Sequence, residues 1–150
     1  MSPEHGRPVV LVVDDDPEAC TTLAAVLERH GYDTRLATSG AECLGIVGRE
    51  PVSLVLLDIV MPGLDGFAVC RALQRLPASR RPPVVLVTGH DSLAVRRDGI
   101  RHGACEFLTK PVAPDELLAR VRRQLHVVAL ARSLECLERR LDAGAPRDHR

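Results

Sequence analysis

Aromatic residues are scarce in this chain. They make up 2% of its 150 residues, and there is no tryptophan, which argues against a surface of stacked rings for single-stranded nucleic acid. An excess of one charge is also missing, since 20 Lys and Arg balance 20 Asp and Glu. A net charge of 0 argues against the broad basic surface of a nucleic-acid-binding protein, but it is compatible with a local basic patch.

Membrane, secretion and disulfide signals are missing as well. No apolar run approaches the roughly 20 residues of a membrane span, and the N-terminus has no signal-peptide pattern. The five cysteines are odd in number and form no CxxC pair, which argues against a disulfide framework and a zinc site. We therefore expect a soluble, cytoplasmic protein whose reduced cysteines act as small apolar residues.

Apolar runs and helix signals alternate five times along the chain. Helix starts are marked by Asp16-Pro17, by Ser39 with Glu42, and by Asp65. Strands are predicted over residues 9–13, 33–37, 52–57, 84–87 and 105–108. Five alternations with short connections predict an α/β fold of the flavodoxin-like type. Its doubly wound, five-stranded parallel sheet has the order 2-1-3-4-5, with helices on both faces.

Polar residues stand where the apolar runs stop: Asp14 and Asp15, Asp58, Thr88, and Lys110. The carboxyl ends of parallel strands share one edge, so these groups are expected to meet there. Clustered carboxylates raise a pKa or recruit a cation, and Mg²⁺ is a hard ion that prefers oxygen ligands. Asp58 has the position of a carboxylate nucleophile that forms an acyl phosphate. Thr88 and Lys110 would supply a hydroxyl and a positive charge to the phosphoryl group.

The ordered set of motifs resembles the receiver domain of bacterial two-component response regulators. The resemblance covers about residues 9–125 and includes the acidic pair, the segment 58–66, Thr88-Gly89 and Lys110-Pro111. It implies that Asp58 accepts a phosphoryl group from a sensor histidine kinase or a phosphotransfer protein, with Mg²⁺ or alternatively Mn²⁺ as the metal. It also implies a signalling switch without turnover of an external substrate, rather than an enzyme.

The resemblance also assigns the metal ligands. Asp15 would bind the ion directly and Asp14 through a water molecule. Asp58 and the backbone carbonyl of Val60 would complete the protein's share of the coordination.

A switch pair is implied in the same way. Thr88 would move toward the phosphoryl group. Lys110 would form an ion pair with the phosphoryl group. The ring of Phe107 would turn inward when Thr88 moves. The Lys110-Pro111 peptide bond is often cis in such domains.

A second pattern follows the domain predicted over residues 1–125. Apolar residues recur at intervals of three and four in the extension, residues 126–150, at Val127, Leu130, Leu134, Leu137 and Leu141. This predicts an extended C-terminal helix that either pairs as a homodimer or stays solvated, followed by a disordered tail or linker. The chain would be a stand-alone receiver or the front of a longer regulator.

Other function classes fit parts of the sequence. An Asp-nucleophile phosphatase would share the acidic site, but no segment between the motifs is long enough to build a cap over a substrate. A pure interaction module would not need the acceptor-site residues. DNA binding through the arginines around α-helical residues 96–101 and 120–123 is a weak alternative. The downstream effector is not indicated.

Overall fold

Five parallel strands form one sheet in the computed structural model, which describes residues 6–90 and 92–144. The strands are β1 Val9–Val13, β2 Asp33–Ala37, β3 Leu54–Asp58, β4 Val84–Thr88 and β5 Glu106–Thr109. Their order is β2-β1-β3-β4-β5, and every pairing is parallel. This order confirms the predicted flavodoxin-like topology.

Three strands differ from the prediction in their bounds; β4 extends one residue further, to Thr88. β3 begins at Leu54 rather than at residue 52. The N–H of Ser53 donates to the carbonyl of Val9 at 2.8 Å, but the N–H of Val9 donates to the side-chain oxygen of Ser53 at 3.1 Å instead of to a backbone carbonyl. β3 also includes Asp58, which pairs in register with Val87. β5 is shifted by one residue and ends at Thr109.

The helices alternate with the strands, and the first four begin at side-chain caps. They are α1 Pro17–Arg29, α2 Gly40–Arg49, α3 Gly66–Leu73, α4 Leu93–Arg101 and α5 Pro114–Gly144, with a 3₁₀ turn at Ala78–Arg80. The side chains that accept from backbone N–H groups at the first four helix starts are Asp16, Ser39, Asp65 and Ser92. Each cap satisfies a backbone donor that has no partner inside its helix.

Alternate residues of each strand point to opposite faces of the sheet, and both faces are covered. On one face the strands pack against α2, α3 and the start of α4; on the other they pack against α1 and α5. Within β3, for example, Leu57 belongs to the first core and Leu56 to the second. Burial on both faces explains why the central strands are uninterrupted apolar runs.

Helix α5 is continuous and far longer than the sheet requires. Its buried residues end at Gln124, and most of the helix beyond Leu125 is exposed. Arg132 lines a cavity of about 240 Å³ together with Pro51, Val52 and Arg81, which precede β3 and β4. The extension of α5 therefore leaves the domain at the amino edge of the sheet. The predicted tail at 145–150 lies outside the described residues.

The cysteines are all free, but only three are core residues. Cys20, Cys43 and Cys70 are buried, and burial raises the pKa of Cys43 and Cys70 to about 12. The expectation of small apolar residues is wrong for Cys105 and Cys136, which are exposed. Within 6–90 and 92–144, no helix has the combination of length and apolar character that crossing a bilayer requires.

Candidate functional site

Asp14 is held in place at the carboxyl end of β1. Its backbone N–H donates to the carbonyl of Ala37 at 3.1 Å, which continues the pairing with β2. Its Oδ1 accepts from the backbone N–H of Asp16 at 3.0 Å, so that the acidic turn fixes the carboxylate. Asp14 is buried, whereas the neighbouring Asp15 is exposed at the mouth of the site.

Asp58 is held at the end of β3 by the closely packed loop that follows it. The N–H of Ile59 donates to Val87 at 3.2 Å, and the N–H of Gly66 donates to Ile59 at 2.9 Å. A Cβ at residue 66 would lie 2.6 Å from the carbonyl oxygen of Asp58, so only glycine allows this approach without displacing the strand end. The loop therefore fixes the floor of the site.

Three carboxylates and one ammonium meet at this edge of the sheet. Oxygen atoms of Asp14, Asp15 and Asp58 lie within 4.8 Å of one another. Nζ of Lys110 lies 3.0 Å from Oδ2 of Asp14 and 3.4 Å from Oδ2 of Asp58. The peptide bond between Lys110 and Pro111 is cis, as the resemblance implied.

The charges in the site shift the pKa values of two of its groups. Burial and the negative charge of Asp14 raise the pKa of Asp58 above its ordinary value. Lys110 and a hydrogen bond from the backbone of Val60 offset only part of this effect. Burial by itself lowers the pKa of Lys110, but its contacts with Asp14 and Asp58 outweigh that effect and raise the pKa overall. The site therefore holds more negative charge than one lysine neutralises.

The donor set fits a small divalent cation. Three carboxylates within reach of one point supply hard oxygen ligands of the kind that Mg²⁺ takes, and an added cation would relieve the repulsion that raises the Asp58 pKa. Asp14, Asp15 and Asp58 would hold the ion. The role of the Val60 carbonyl stays a prediction; this residue is 76% exposed in the loop after β3.

The two predicted switch residues are both buried, on neighbouring strands. The hydroxyl of Thr88 exchanges hydrogen bonds with the backbone of His90, at 2.9 and 3.1 Å. The ring of Phe107 is turned inward against α4, with the guanidinium of Arg96 5.4 Å from its centroid. The proposed coupled motion of Thr88 and Phe107 stays a prediction.

Sequence reasoning missed one polar cluster on the α5 side of β5. Glu106 accepts hydrogen bonds from Arg123 at 2.5 and 2.6 Å, from Gln124 at 2.7 Å and from Arg120 at 3.3 Å. Two arginines of the basic group considered for DNA binding are therefore engaged within the domain. No local spacing signals this cluster, because Glu106 is 17 residues from Arg123 in the chain.

Comparison with known proteins agrees with the fold of the domain. The family model described as "Response regulator receiver domain" matches residues 10–122. Response regulator PleD of Caulobacter vibrioides is 42% identical over 113 residues, which are 75% of this chain and 25% of that protein. Response regulator MprA of Mycobacterium leprae is 40% identical over 116 residues, 77% of this chain and 50% of that protein.

The matched relatives differ in length. This chain spans a quarter of PleD and half of MprA, whereas it covers 96% of protein PilH of Pseudomonas aeruginosa at 38% identity. The similarity therefore concerns the domain that these proteins share.

Solved structures show the same fold. A CheY-like response regulator receiver domain protein from Methanospirillum hungatei superposes with a TM-score of 0.75 at 28% identity, covering 81% of this chain and 95% of that one. The chemotaxis protein CheY4 of Vibrio cholerae has the same TM-score at 26% identity and covers 79% of this chain and 99% of its own.

Proposed function

This chain belongs to the family of response regulator receiver domains, and from that membership we propose that Asp58 accepts a phosphoryl group from a histidine kinase or phosphotransfer protein. Receiver domains of this family are Mg²⁺-binding signalling switches in two-component systems. The proposal for this chain is a cytoplasmic, Mg²⁺-dependent switch that turns over no external substrate.

The main support for the proposal is the position of Lys110 between two buried carboxylates. Its ammonium reaches Oδ2 of both Asp14 and Asp58, so one cation faces the acceptor oxygen and the neighbouring acid together. A lysine that serves only to neutralise a surface acid has no need of two buried partners at the end of a cleft. Here the ammonium is positioned to meet a phosphoryl oxygen once one is attached to Asp58.

The chemistry follows from these positions. An Oδ atom of Asp58 attacks phosphorus, the phosphorus–nitrogen bond of the donor's phosphohistidine breaks, and the imidazole leaves with its electron pair and takes up a proton. Mg²⁺ bound by Asp14, Asp15 and Asp58 would neutralise charge on the transferred group. Lys110 balances that charge from the other side, while Thr88 offers a hydroxyl to a phosphoryl oxygen.

Phosphorylation by a small-molecule donor tests this directly. The chain is incubated with acetyl phosphate and MgCl₂, and its intact mass is measured. We expect one added phosphoryl group in the wild type and none in Asp58→Asn. The matched control is Asp16→Asn, because Asp16 only caps α1 and asparagine caps equally well. An unmodified wild type, or equal labelling of Asp58→Asn, would contradict the proposal.

A further inference from the structure

The extension of α5 carries a continuous apolar stripe that nothing in the described part of the chain covers. The stripe, here called the seam, consists of five residues with exposed fractions between 50% and 63%: Val127, Leu130, Leu134, Leu137 and Leu141. Large apolar side chains in such a row on a monomer surface usually mark a contact site. A solvated helix alone would have no reason to place them in one line.

The spacing of the seam fits a coiled coil. Intervals of three and four place Val127, Leu134 and Leu141 at the a positions of a heptad, and Leu130 and Leu137 at the d positions. A straight helix with this pattern drifts by about 20° per heptad, which a left-handed supercoil removes. Leucine at both d positions and a β-branched residue at the first a position are typical of two-stranded coils.

The seam faces away from the domain core. At 3.6 residues per turn, its mean direction lies about 130° around the helix axis from that of the buried residues Leu117, Val121 and Gln124. Two copies could therefore join along the seam with their domains on the outer sides. Continued toward the domain, the seam would reach Arg120 and Arg123, which Glu106 of the same chain already engages. The apolar contact therefore begins at Val127.

We propose that the seam pairs with the seam of a second copy of this chain, as a parallel two-stranded coiled coil starting at Val127. Burying five half-exposed apolar residues on each copy removes on the order of 1,000 Å² from water, the size of a small specific interface. About two heptads would be marginal for an isolated helix. Here the packed first part of α5 already fixes the helical conformation, which lowers the cost of pairing.

The parallel orientation follows from the uneven number of seam residues. In an antiparallel pair, a positions face d positions, and three a residues have only two apolar d partners. One a residue, such as Val127, would then face Gly144 of the other copy. In a parallel, in-register pair, each seam residue meets its own counterpart, so all five are covered. Flanking positions such as Ser133 and Glu138 would then bring no like charges together.

Sedimentation of the full chain without acetyl phosphate tests the pairing. We expect a mass twice that of the 16.3 kDa monomer. Leu134→Glu should halve that mass, whereas Ala129→Glu, on an exposed side of the same helix away from the seam, should leave it unchanged. Circular dichroism shows whether both variants stay folded. A monomeric wild type, or equal masses for both variants, would overturn the proposal. Neither readout depends on Asp58.

Disulfide trapping tests the orientation. In a background with Cys105→Ser and Cys136→Ser, Leu137→Cys should give a covalent dimer under mild oxidation, because a parallel coil places the two residues 137 opposite each other. Arg139→Cys, on the outer face, should stay monomeric under the same conditions. An antiparallel pair places residue 137 near residue 134 of the other copy, so a dimer that fails to crosslink at 137 would overturn the parallel arrangement.

Discussion

Helix α4 has a glycine where the ring of Phe107 packs against it. A Cβ on Gly99 would lie 2.7 Å from Cε2 of that ring and 2.8 Å from Cδ1 of Leu86. The inward position of the ring therefore depends on the absence of one methyl group. Phe107 is a proposed switch residue, so a side chain at position 99 would be expected to disfavour the inward position of its ring.

Gly99→Ala should destabilise the domain with the ring inward, by about 1–3 kcal/mol in the free energy of unfolding, because the core is overpacked. Urea denaturation measures this. Gly48→Ala is the matched control: Gly48 is also helical, and a Cβ there meets nothing within 4 Å. That variant should gain up to about 1 kcal/mol from helix propensity. Equal effects of the two substitutions would show that the Phe107 contact is not tight.

Mg²⁺ should stabilise the wild type against heat. A ligand present at ten times its dissociation constant contributes about 1.4 kcal/mol to the folded state. Asp15→Asn should remove most of this gain, since it removes one of three clustered carboxylates. Asp16→Asn should keep it. Tm is measured with MgCl₂ and with NaCl at equal ionic strength, and the same gain with both salts would argue against a specific site.

Asp58→Asn should raise the free energy of unfolding at pH 7, by on the order of 1 kcal/mol. The pKa of Asp58 is raised in the folded protein, so folding opposes its charge. This cost applies in full above the folded pKa and disappears as the pH falls toward the ordinary value of 3.8. The advantage of the variant should therefore shrink with decreasing pH in denaturation curves. A less stable variant at pH 7 would show that the contact with Lys110 outweighs the repulsion.

Glu106→Gln should have the opposite effect and lower the free energy of unfolding at pH 7. Burial by itself raises the pKa of Glu106, but hydrogen bonds from Arg123 and Gln124 and the nearby arginine charges lower it overall. A lowered folded pKa stabilises the protein above the ordinary value of 4.5, and that contribution is lost as the pH falls through the folded pKa.

We therefore expect Glu106→Gln to cost about 1–2 kcal/mol at pH 7 and much less at pH 3. Urea denaturation at both pH values measures the difference. Glu116→Gln, in the first turn of the same helix α5, is the control for the loss of one carboxylate. A cost that does not change with pH would indicate that the side chain acts through packing rather than charge.

The order of the strands and the clustering of the acidic side chains could both be predicted from the sequence because the sheet is parallel. The ends of parallel strands share an edge, so marking where the apolar runs stop at Asp14, Asp58 and Lys110 locates the site without any side-chain detail. The rule still locates the site although the predicted bounds of β3, β4 and β5 were wrong by one or two residues.

The contacts that the sequence did not reveal depend on how elements dock. The fit of Gly99 against Phe107 depends on the distance between α4 and β5, and the bonds of Glu106 to Arg123 depend on the rotation of α5 about its axis. Neither quantity has a local sequence signal. The roles of Thr88 and Val60 depend on the presence of a phosphoryl group and an ion, so they stay predictions.

The long helix leaves the domain at the end opposite the carboxylates. Joining two copies along it in parallel would leave both acidic clefts open, at the end of the assembly away from the coiled coil. A phosphate donor could then dock on either half without first separating the pair, so the assembly would exist with neither, one or both halves modified. Such an assembly would have three states that differ in the number of phosphoryl groups they carry.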